Sequence, residues 1–194
     1  MPRDFMADDA TDEALLARYG AGDPVAARAL AARLLPRVLA GATRMLGGDR
    51  AEAEDVAQEA MLRLWRAAPG WQAGGARVST WLWTVTTNLC IDRLRRRRGQ
   101  ALDSIPEPPD DAPGAQAGLE QADRLSALDA ALAQLPERQR IAVVLRHIEG
   151  LANPEIAEVL GVGVEAVESL TARGKRALAA ILSGRREELG YGDG

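Results

Sequence analysis

Apolar residues recur at intervals of three and four along most of the chain, the spacing that places side chains on one face of an α-helix. Two segments show this clearly, with Leu30, Leu34 and Val38 in the first and Leu128, Leu132 and Leu135 in the second. Residues that favour helix starts come before such segments: Thr11, Asp23 followed by Pro24, and Asp49 or Glu52. Pro36 is expected to bend or split the second helix. Because every strong pattern is helical, the sequence predicts an all-α fold.

Residues 100–121 separate two groups of predicted helices. This stretch is rich in proline and acidic residues and has no apolar period, so it is expected to be an extended and mobile linker. The predicted organisation is a small helical domain at 1–99, a flexible acidic linker at 100–121 and a second small helical domain at 122–194.

The helix predicted at 79–98, with Ser79 or Thr80 as its N-cap, has two different faces. The apolar face is expected to enter a core and consists of Val78, Leu82, Val85 and Leu89. The other carries aromatic, hydroxyl, amide and basic groups, namely Trp81, Trp83, Thr84, Asn88, Arg95, Arg96 and Arg98. Trp71 lies in the glycine-rich loop just before this helix, where it can help to line a pocket for one extruded base.

These residue types suit opened or single-stranded DNA. Indole rings offer stacking surfaces to unpaired bases, asparagine can pair with a base edge, and arginine neutralises phosphate. An alternative interpretation is an amphipathic core helix with buried tryptophans and a solvated arginine run, preceded by a plain connecting loop.

A polar stripe is predicted on the outer face of the helix that begins near Glu52. We call it the acidic stripe, and it consists of Asp55, Gln58, Glu59, Leu62 and Arg66. An apolar residue ringed by charge is typical of a protein–protein contact, because it combines a desolvated anchor with groups that set register. The alternative is a solvated helix face with an ion pair between Glu59 and Arg63.

The second half of the chain contains a helix-turn-helix pattern. A short helix is predicted with Asn153 as its N-cap and Pro154 as its first residue, Gly161 ends it, and a longer helix begins after Gly163. Four apolar residues fall where the two helices would cross: Ile156, Ala157, Leu160 and Val167. The second of these helices is predicted to enter a DNA major groove.

Charge and composition narrow the function classes. The formal net charge is −4, so bulk electrostatics do not favour a chain that finds DNA unaided. Basic residues nevertheless concentrate at 93–98 and 173–186, whereas residues 103–123 contain six acids and no base. This distribution favours a subunit that meets DNA when a larger partner carries it.

Catalytic and metal-binding signatures are lacking in the sequence. Cys90 and His147 are each the sole residue of their type, so the usual zinc ligand sets cannot be assembled. No catalytic residue, metal or cofactor is predicted. With no long apolar run and no signal-peptide pattern, a cytoplasmic protein without membrane insertion is expected.

At residues 53–65, 80–83 and 88–98 the sequence resembles the second conserved region of sigma-70-family transcription initiation factors, and most of all their extracytoplasmic-function subgroup. The resemblance implies that the acidic stripe docks on the clamp helices of the beta-prime subunit of core RNA polymerase. It also implies that the following loop and helix capture the non-template strand of the minus-ten element, with Asn88 framing a flipped base.

Residues 135–140, 147–151 and 155–161 resemble the fourth conserved region of the same family. That region reads the minus-thirty-five element of promoter DNA and rests on the flap of the polymerase beta subunit. The residues expected to meet DNA here are Glu165, Glu168, Ser169, Arg173, Lys175 and Arg176. Family members are commonly held inactive by an anti-sigma factor, which makes such an inhibitor an expected partner.

The sequence departs from the family at both expected DNA contacts. Thr84 and Thr87 stand where arginine is frequent, and Glu168 and Leu170 stand where a lysine and an arginine are common. Acids repel phosphate but can accept from a cytosine amine, so a weaker or unusual sequence preference is expected. The main prediction is a promoter-specificity subunit. One alternative is a sigma-like decoy that sequesters an anti-sigma factor without binding DNA. The other is an enzyme, which no motif in the sequence supports.

Overall fold

The computed structural model describes residues 10–71, 77–103 and 119–188. The helices in these residues are α1 Asp12–Gly20, α2 Pro24–Met45, α3 Arg50–Ala67, α4 Val78–Asp103, α5 Leu119–Ala133, α6 Glu137–Val143, α7 Asn153–Leu160 and α8 Val164–Glu188. A 3-10 turn at Ala68–Gly70 follows α3, and a π-helical turn at Val144–Ile148 continues α6. The described ranges contain no strand, and the all-α prediction is confirmed.

Local sequence signals set the starts of α1, α2 and α3. Thr11 accepts a hydrogen bond from the amide of Ala14 at 3.2 Å, and Asp49 accepts one from the amide of Glu52 at 3.0 Å. Asp23 accepts from the amide of Val25 at 2.9 Å, ahead of a proline in the first turn. These predicted caps are confirmed.

The expectation that Pro36 splits the second helix is wrong. This residue lies inside α2, which runs without interruption from Pro24 to Met45. Leu34 and Val38, two residues to either side, are both buried in the same core. This packing fixes the turns on both sides of Pro36. The helix therefore tolerates the loss of the one backbone hydrogen bond that proline cannot donate.

Two helical units can be distinguished along the chain. The first unit, α1–α4, packs around buried residues that include Leu15, Leu30, Leu64 and Leu82. The second unit comprises α5–α8. Helix α4 runs to Asp103 and α5 begins at Leu119, so both helices extend into the predicted linker. The rest of that linker, residues 104–118, lies outside the described residues.

The two units pack directly against each other. Helix α4 contacts α7, and α2 contacts α5 and α6. One hydrophobic cluster combines Met45, Trp83 and Leu94 of the first unit with Leu135, Ile141 and Ile156 of the second. The core is therefore continuous between the two units. In the described part of the chain, no helix combines the length and hydropathy needed to cross a bilayer.

Candidate DNA- and polymerase-binding surfaces

Helix α4 is positioned by a contact that the sequence did not indicate. It begins at Val78, whose amide donates to the carboxylate of Glu13 at 3.0 Å, so the predicted cap at Ser79 or Thr80 is wrong. The partner comes from α1, far away in sequence, and local pattern therefore cannot reveal it. Val78 and Leu82 are buried, and Val85 and Leu89 pack against the same core. The predicted apolar face is confirmed.

The polar residues of α4 are arranged on more than one side of the helix. Asn88, Arg95, Arg96 and Arg98 are exposed, and Thr84 is half-buried. Consecutive residues point about 100° apart around a helix, so Arg95 faces the side of Asn88 while Arg96 faces α3. In the described residues, Arg95 and Arg96 form no ion pair, which leaves both guanidinium groups available to another molecule.

The tryptophans predicted to stack on bases have different surroundings. Trp71 and Trp81 are half-buried and meet edge to face, with ring centroids 5.8 Å apart. Trp83 is only 3% exposed. Its ring lies against Gly41 of α2, where an added Cβ would come within 2.4 Å of it. Residues 72–76 of the predicted base-binding loop lie outside the described residues.

Not every arginine of the basic run is available for phosphate. Arg93 is paired with Glu52 and lies 3.6 Å from Asp55, and Arg97 is paired with Asp49. Because the hydrogen bond to Glu52 stabilises the charged form, the pKa of Arg93 is raised above its ordinary value. These two arginines hold α4 against the start of α3.

The acidic stripe lies on the outer face of α3, as its spacing predicts. Leu62 is 47% exposed and is one of four exposed large apolar side chains in the described residues. Glu59 accepts a hydrogen bond from Arg63 at 2.7 Å, which lowers the pKa of its carboxyl group, so the ion pair foreseen as the alternative is present. Asp55, Gln58 and Arg66 are exposed.

Helix α4 completes this surface, which the sequence alone did not show. A depression of about 370 Å³ lies between the two helices. The α3 side is formed by Asp55, Gln58, Glu59, Leu62 and Arg63, and the α4 side by Leu89, Asp92, Arg93 and Arg96. Arg66 does not line it. The depression offers two leucine side chains and charges of both signs, a combination suited to a helix of another protein.

The helix-turn-helix is present as predicted. Gly161 ends α7 with φ +61°, a left-handed conformation that glycine adopts without strain. Val167 is fully buried, and Gly174 sits close to Val143, so α8 packs tightly on α6. The N-cap of α7 is Ala152 rather than Asn153, and its amide donates to the carboxylate of Glu155 at 2.7 Å.

The residues predicted to meet the minus-thirty-five element all project from α8. Each of them is exposed: Glu165, Glu168, Ser169, Arg173, Lys175 and Arg176. Arg173 donates to the hydroxyl of Ser169 at 2.9 Å, which orders two donors beside each other. The helix therefore presents a mixed face, with two carboxylates among three cations.

In the described residues, neither a reactive thiol nor a cluster of metal ligands is found. The Cys90 side chain is fully buried, and burial raises the pKa of its thiol to about 12. No group of three or more histidine, cysteine, aspartate or glutamate side chains suitable for a metal ion occurs in the described ranges.

Comparison with known proteins identifies the family. A family model described as Sigma-70 region 2 matches residues 30–100, and one described as Sigma-70, region 4 matches residues 125–178. The ECF RNA polymerase sigma factor SigM of Mycobacterium tuberculosis is 34% identical over 172 residues, which cover 89% of this chain and 85% of the relative. The chain is an ECF-type member of the sigma-70 family.

Further relatives agree with this assignment. The ECF RNA polymerase sigma factor SigE of Mycolicibacterium smegmatis is 39% identical over 147 residues, 74% of this sigma factor, which spans 56% of that relative. The solved structure of CnrH in complex with the cytosolic domain of CnrY is similar with a TM-score of 0.62 and 28% identity, covering 89% of this chain and 97% of CnrH. The family resemblance drawn from the sequence is confirmed.

Proposed function

We propose that this sigma factor directs core RNA polymerase to specific promoters, helps to open their minus-ten element, and has no catalytic activity of its own. The observation that carries the proposal is the match to sigma regions 2 and 4, in that order, on two units that each expose groups of suitable chemistry. The place of action is the cytoplasm, where RNA polymerase works.

The acidic stripe is the proposed polymerase contact. Leu62 supplies the apolar anchor, and Asp55 and Glu59 supply the charge that would meet the beta-prime clamp helices. Asp55→Arg/Glu59→Arg should weaken core binding by about tenfold or more, because charge reversal places like charges across the contact. Affinity is measured with labelled sigma factor and purified core polymerase.

Glu54→Arg is the matched control for this contact. Glu54 is an exposed carboxylate of the same helix outside the acidic stripe, and its partner in the described residues is Arg50. The control should keep the affinity of the unaltered protein, and circular dichroism should show both variants folded. Equal affinities for all three proteins would remove the stripe from the polymerase contact.

Helix α4 is the proposed reader of the opened minus-ten strand. Asn88 provides amide groups for a base edge, and Arg95 and Arg98 provide charge for the phosphates. Run-off transcription from genomic fragments with purified core polymerase tests the proposal. A specific transcript should appear with the unaltered chain and fall by about tenfold or more with Asn88→Ala or Arg95→Ala.

Arg28→Ala is the control in this assay, because Arg28 is an exposed arginine of α2 away from the proposed contacts. It should leave transcription unchanged. A transcript that survives both Asn88→Ala and Arg95→Ala at full strength would contradict the role of α4, and no transcript with any protein would contradict the proposed function itself.

An anti-sigma factor is the second proposed class of partner. CnrH was solved with the cytosolic domain of CnrY, and a RpoE sigma factor of Bartonella quintana was solved with the anti-sigma factor NepR. The decoy alternative is not favoured, since a decoy has no use for exposed Asn88 and Arg95 on α4. We propose that an inhibitor competes with polymerase for the surface around Leu62.

A further inference from the structure

The sole histidine of the chain lies on the surface of the second unit, outside the surfaces described above. His147 belongs to the π-helical turn Val144–Ile148, and its side chain is exposed. Val144 and Leu145, earlier in the same turn, are fully buried in the core. Because packing fixes the start of the turn, the residues that follow are held at a defined place on the surface.

Helix α8 packs closely on the helix that leads into this turn. A Cβ added to Gly174 would lie 2.6 Å from the Cγ2 atom of Val143, the residue just before the turn. His147 follows Val143 by four residues, about one helical turn, and Lys175 directly follows Gly174. The imidazole of His147 and the ammonium group of Lys175 therefore lie on neighbouring parts of one surface.

Arg146 adds a third basic group at this place. Its Nη1 donates to the carbonyl of Leu151 at 3.0 Å, which steadies the side chain and leaves its other N–H groups for a second partner. Partial burial of the ring, and then the charges of Lys175 and Arg146, lower the pKa of His147. We call Arg146, His147 and Lys175 the basic cluster.

The carboxylates of the neighbouring elements have other partners or positions. Glu149 pairs with Arg37 of α2, and Glu155 of α7 accepts hydrogen bonds from a hydroxyl of α4 and from the N-cap amide of its own helix. Glu158 of α7 lines the surface around the turn between α7 and α8. In the described part of the chain, Arg146 and Lys175 form no ion pair, so the positive charge of the basic cluster is not neutralised.

The basic cluster flanks the face of α8 that is proposed to enter the major groove. At 100° per residue, Ser169 and Arg176 point away from the buried Val167, whereas Lys175 points to one side. Glu168 points to the same side, but two turns or about 10 Å nearer the start of the helix. The sugar-phosphate backbone runs along the sides of a helix in the major groove, so a phosphate of one strand would come to Lys175.

We propose that Arg146, His147 and Lys175 together bind one backbone phosphate of duplex DNA beside α8, and that His147 takes up a proton from solvent when this phosphate binds. The inference rests on the proposed contact of α8 with promoter DNA. Two neighbouring cations favour the neutral imidazole, and a phosphate placed among them reverses that balance. Because phosphate binding and protonation favour each other, affinity for DNA increases as pH falls from the pKa of His147 in the complex to its lower pKa in the free protein.

Nuclear magnetic resonance of the untagged full-length protein tests the site directly. With a single histidine in the chain, one imidazole Cε1–H resonance should be seen, and its change with pH reports the protonation of His147. A short DNA duplex of mixed sequence, added in excess at low ionic strength, should move the midpoint of this titration to higher pH. A midpoint that the duplex leaves unchanged overturns the proposal.

Two variants with the same loss of charge separate a local site from a general effect of charge. Lys175→Gln should reduce the movement of the midpoint caused by the duplex. Arg28→Gln is the matched control, because Arg28 is an exposed arginine of α2 away from the basic cluster. It should keep the full movement. Equal reductions in the two variants would show that the three residues do not form one phosphate site.

The affinity for the same duplex gives an independent readout. Measured by fluorescence anisotropy, the unaltered protein should bind about threefold or more tightly at about pH 6 than at about pH 8. His147→Gln should bind with similar affinity at both pH values, because glutamine does not titrate. The same pH dependence in both proteins would remove His147 from the contact.

Run-off transcription by the unaltered chain separates this result from the proposed function. A specific transcript together with an unresponsive His147 titration would leave the sigma function in place and remove only the phosphate site. A His147 titration that responds to the duplex, without any transcript, would keep the DNA contact and remove the proposed promoter function.

Discussion

The two helices proposed to meet DNA differ in chemistry and in accessibility. Helix α4 carries Trp81, Asn88 and Arg95 on one side, with Asp92 as an exposed carboxylate beside them, and the second unit covers part of its length. Helix α8 projects its polar face freely into solvent, yet Glu165 and Glu168 lie among its cations. The helix proposed to capture the opened strand is therefore the less accessible of the two.

This difference indicates a division of labour. Stacking of bases on indole rings and pairing of phosphates with arginine give affinity with little sequence preference. A permanently exposed α4 would therefore bind nucleic acid non-specifically. A mixed face such as that of α8 binds phosphate weakly and depends on base contacts for its preference. Covering the first helix and leaving the second open is consistent with a chain of net charge −4 that acts on a polymerase.

The largest effect is expected from a substitution in α2 whose side chain clashes with the Trp83 ring. In Gly41→Ala the new Cβ would lie 2.4 Å from the indole ring, so the ring must move. We expect a loss of about 1–3 kcal/mol in the free energy of unfolding, as for other overpacked cores. Urea unfolding measures it. The displaced ring would also loosen the cover over α4.

Gly99→Ala is the control for this substitution. Gly99 lies in α4, and a Cβ there meets no atom within 4 Å, so alanine should be neutral or stabilise the helix by about 0.5–1 kcal/mol. If both variants unfolded at the same urea concentration, close packing of Trp83 on α2 would not describe the protein in solution.

A second prediction separates the two sides of α4. Arg95→Ala should reduce the salt dependence of holoenzyme binding to an opened promoter template, by a slope of about 0.7 for one lost phosphate contact. Arg96→Ala should leave that slope unchanged and weaken core polymerase binding instead, because Arg96 lines the depression beside the acidic stripe. Identical behaviour of the two variants would contradict the assignment of separate faces.

The elements that the sequence predicted well are those set by neighbours in the chain. Thr11, Asp23 and Asp49 cap helices through amides two or three residues away, and Gly161 ends α7 because glycine tolerates φ +61°. The exposed stripe around Leu62 also followed from helical spacing alone. Such features depend on local geometry, and local geometry is encoded in adjacent residues.

The elements that the sequence did not predict depend on distant contacts. Helix α4 starts at Val78 because Glu13 accepts its amide hydrogen bond, and α2 continues through Pro36 because Leu34 and Val38 are buried in the core. Trp83 looked available for stacking, whereas its ring is held by Gly41 in the shared core. The only signal in the sequence was Gly41 among the apolar residues of α2. A glycine there allows close packing but does not indicate which residue packs against it.

A third prediction concerns the mixed face of α8. Glu168→Lys replaces a carboxylate near the expected phosphates by a cation, so holoenzyme should bind duplex promoter DNA more tightly, with a salt slope steeper by about 0.9. Filter binding over a range of salt concentrations measures it, with Glu54→Lys on α3 as the control of equal charge change. A slope that rises equally in both variants would show that net charge, rather than the α8 face, controls binding.

The smallest effect is expected from Glu149, which joins the units under Arg37. Its side chain is 5% exposed, and burial raises the pKa of its carboxyl group although Arg37 acts in the opposite direction. Because the folded protein then binds more protons than the unfolded chain, the free energy of unfolding should decrease as pH rises from the ordinary glutamate pKa through the raised one. Glu149→Gln should remove this decrease and change stability by about 1 kcal/mol or less. The measurement is urea unfolding of both proteins at several pH values, and a difference between them that stays constant with pH would contradict the raised pKa.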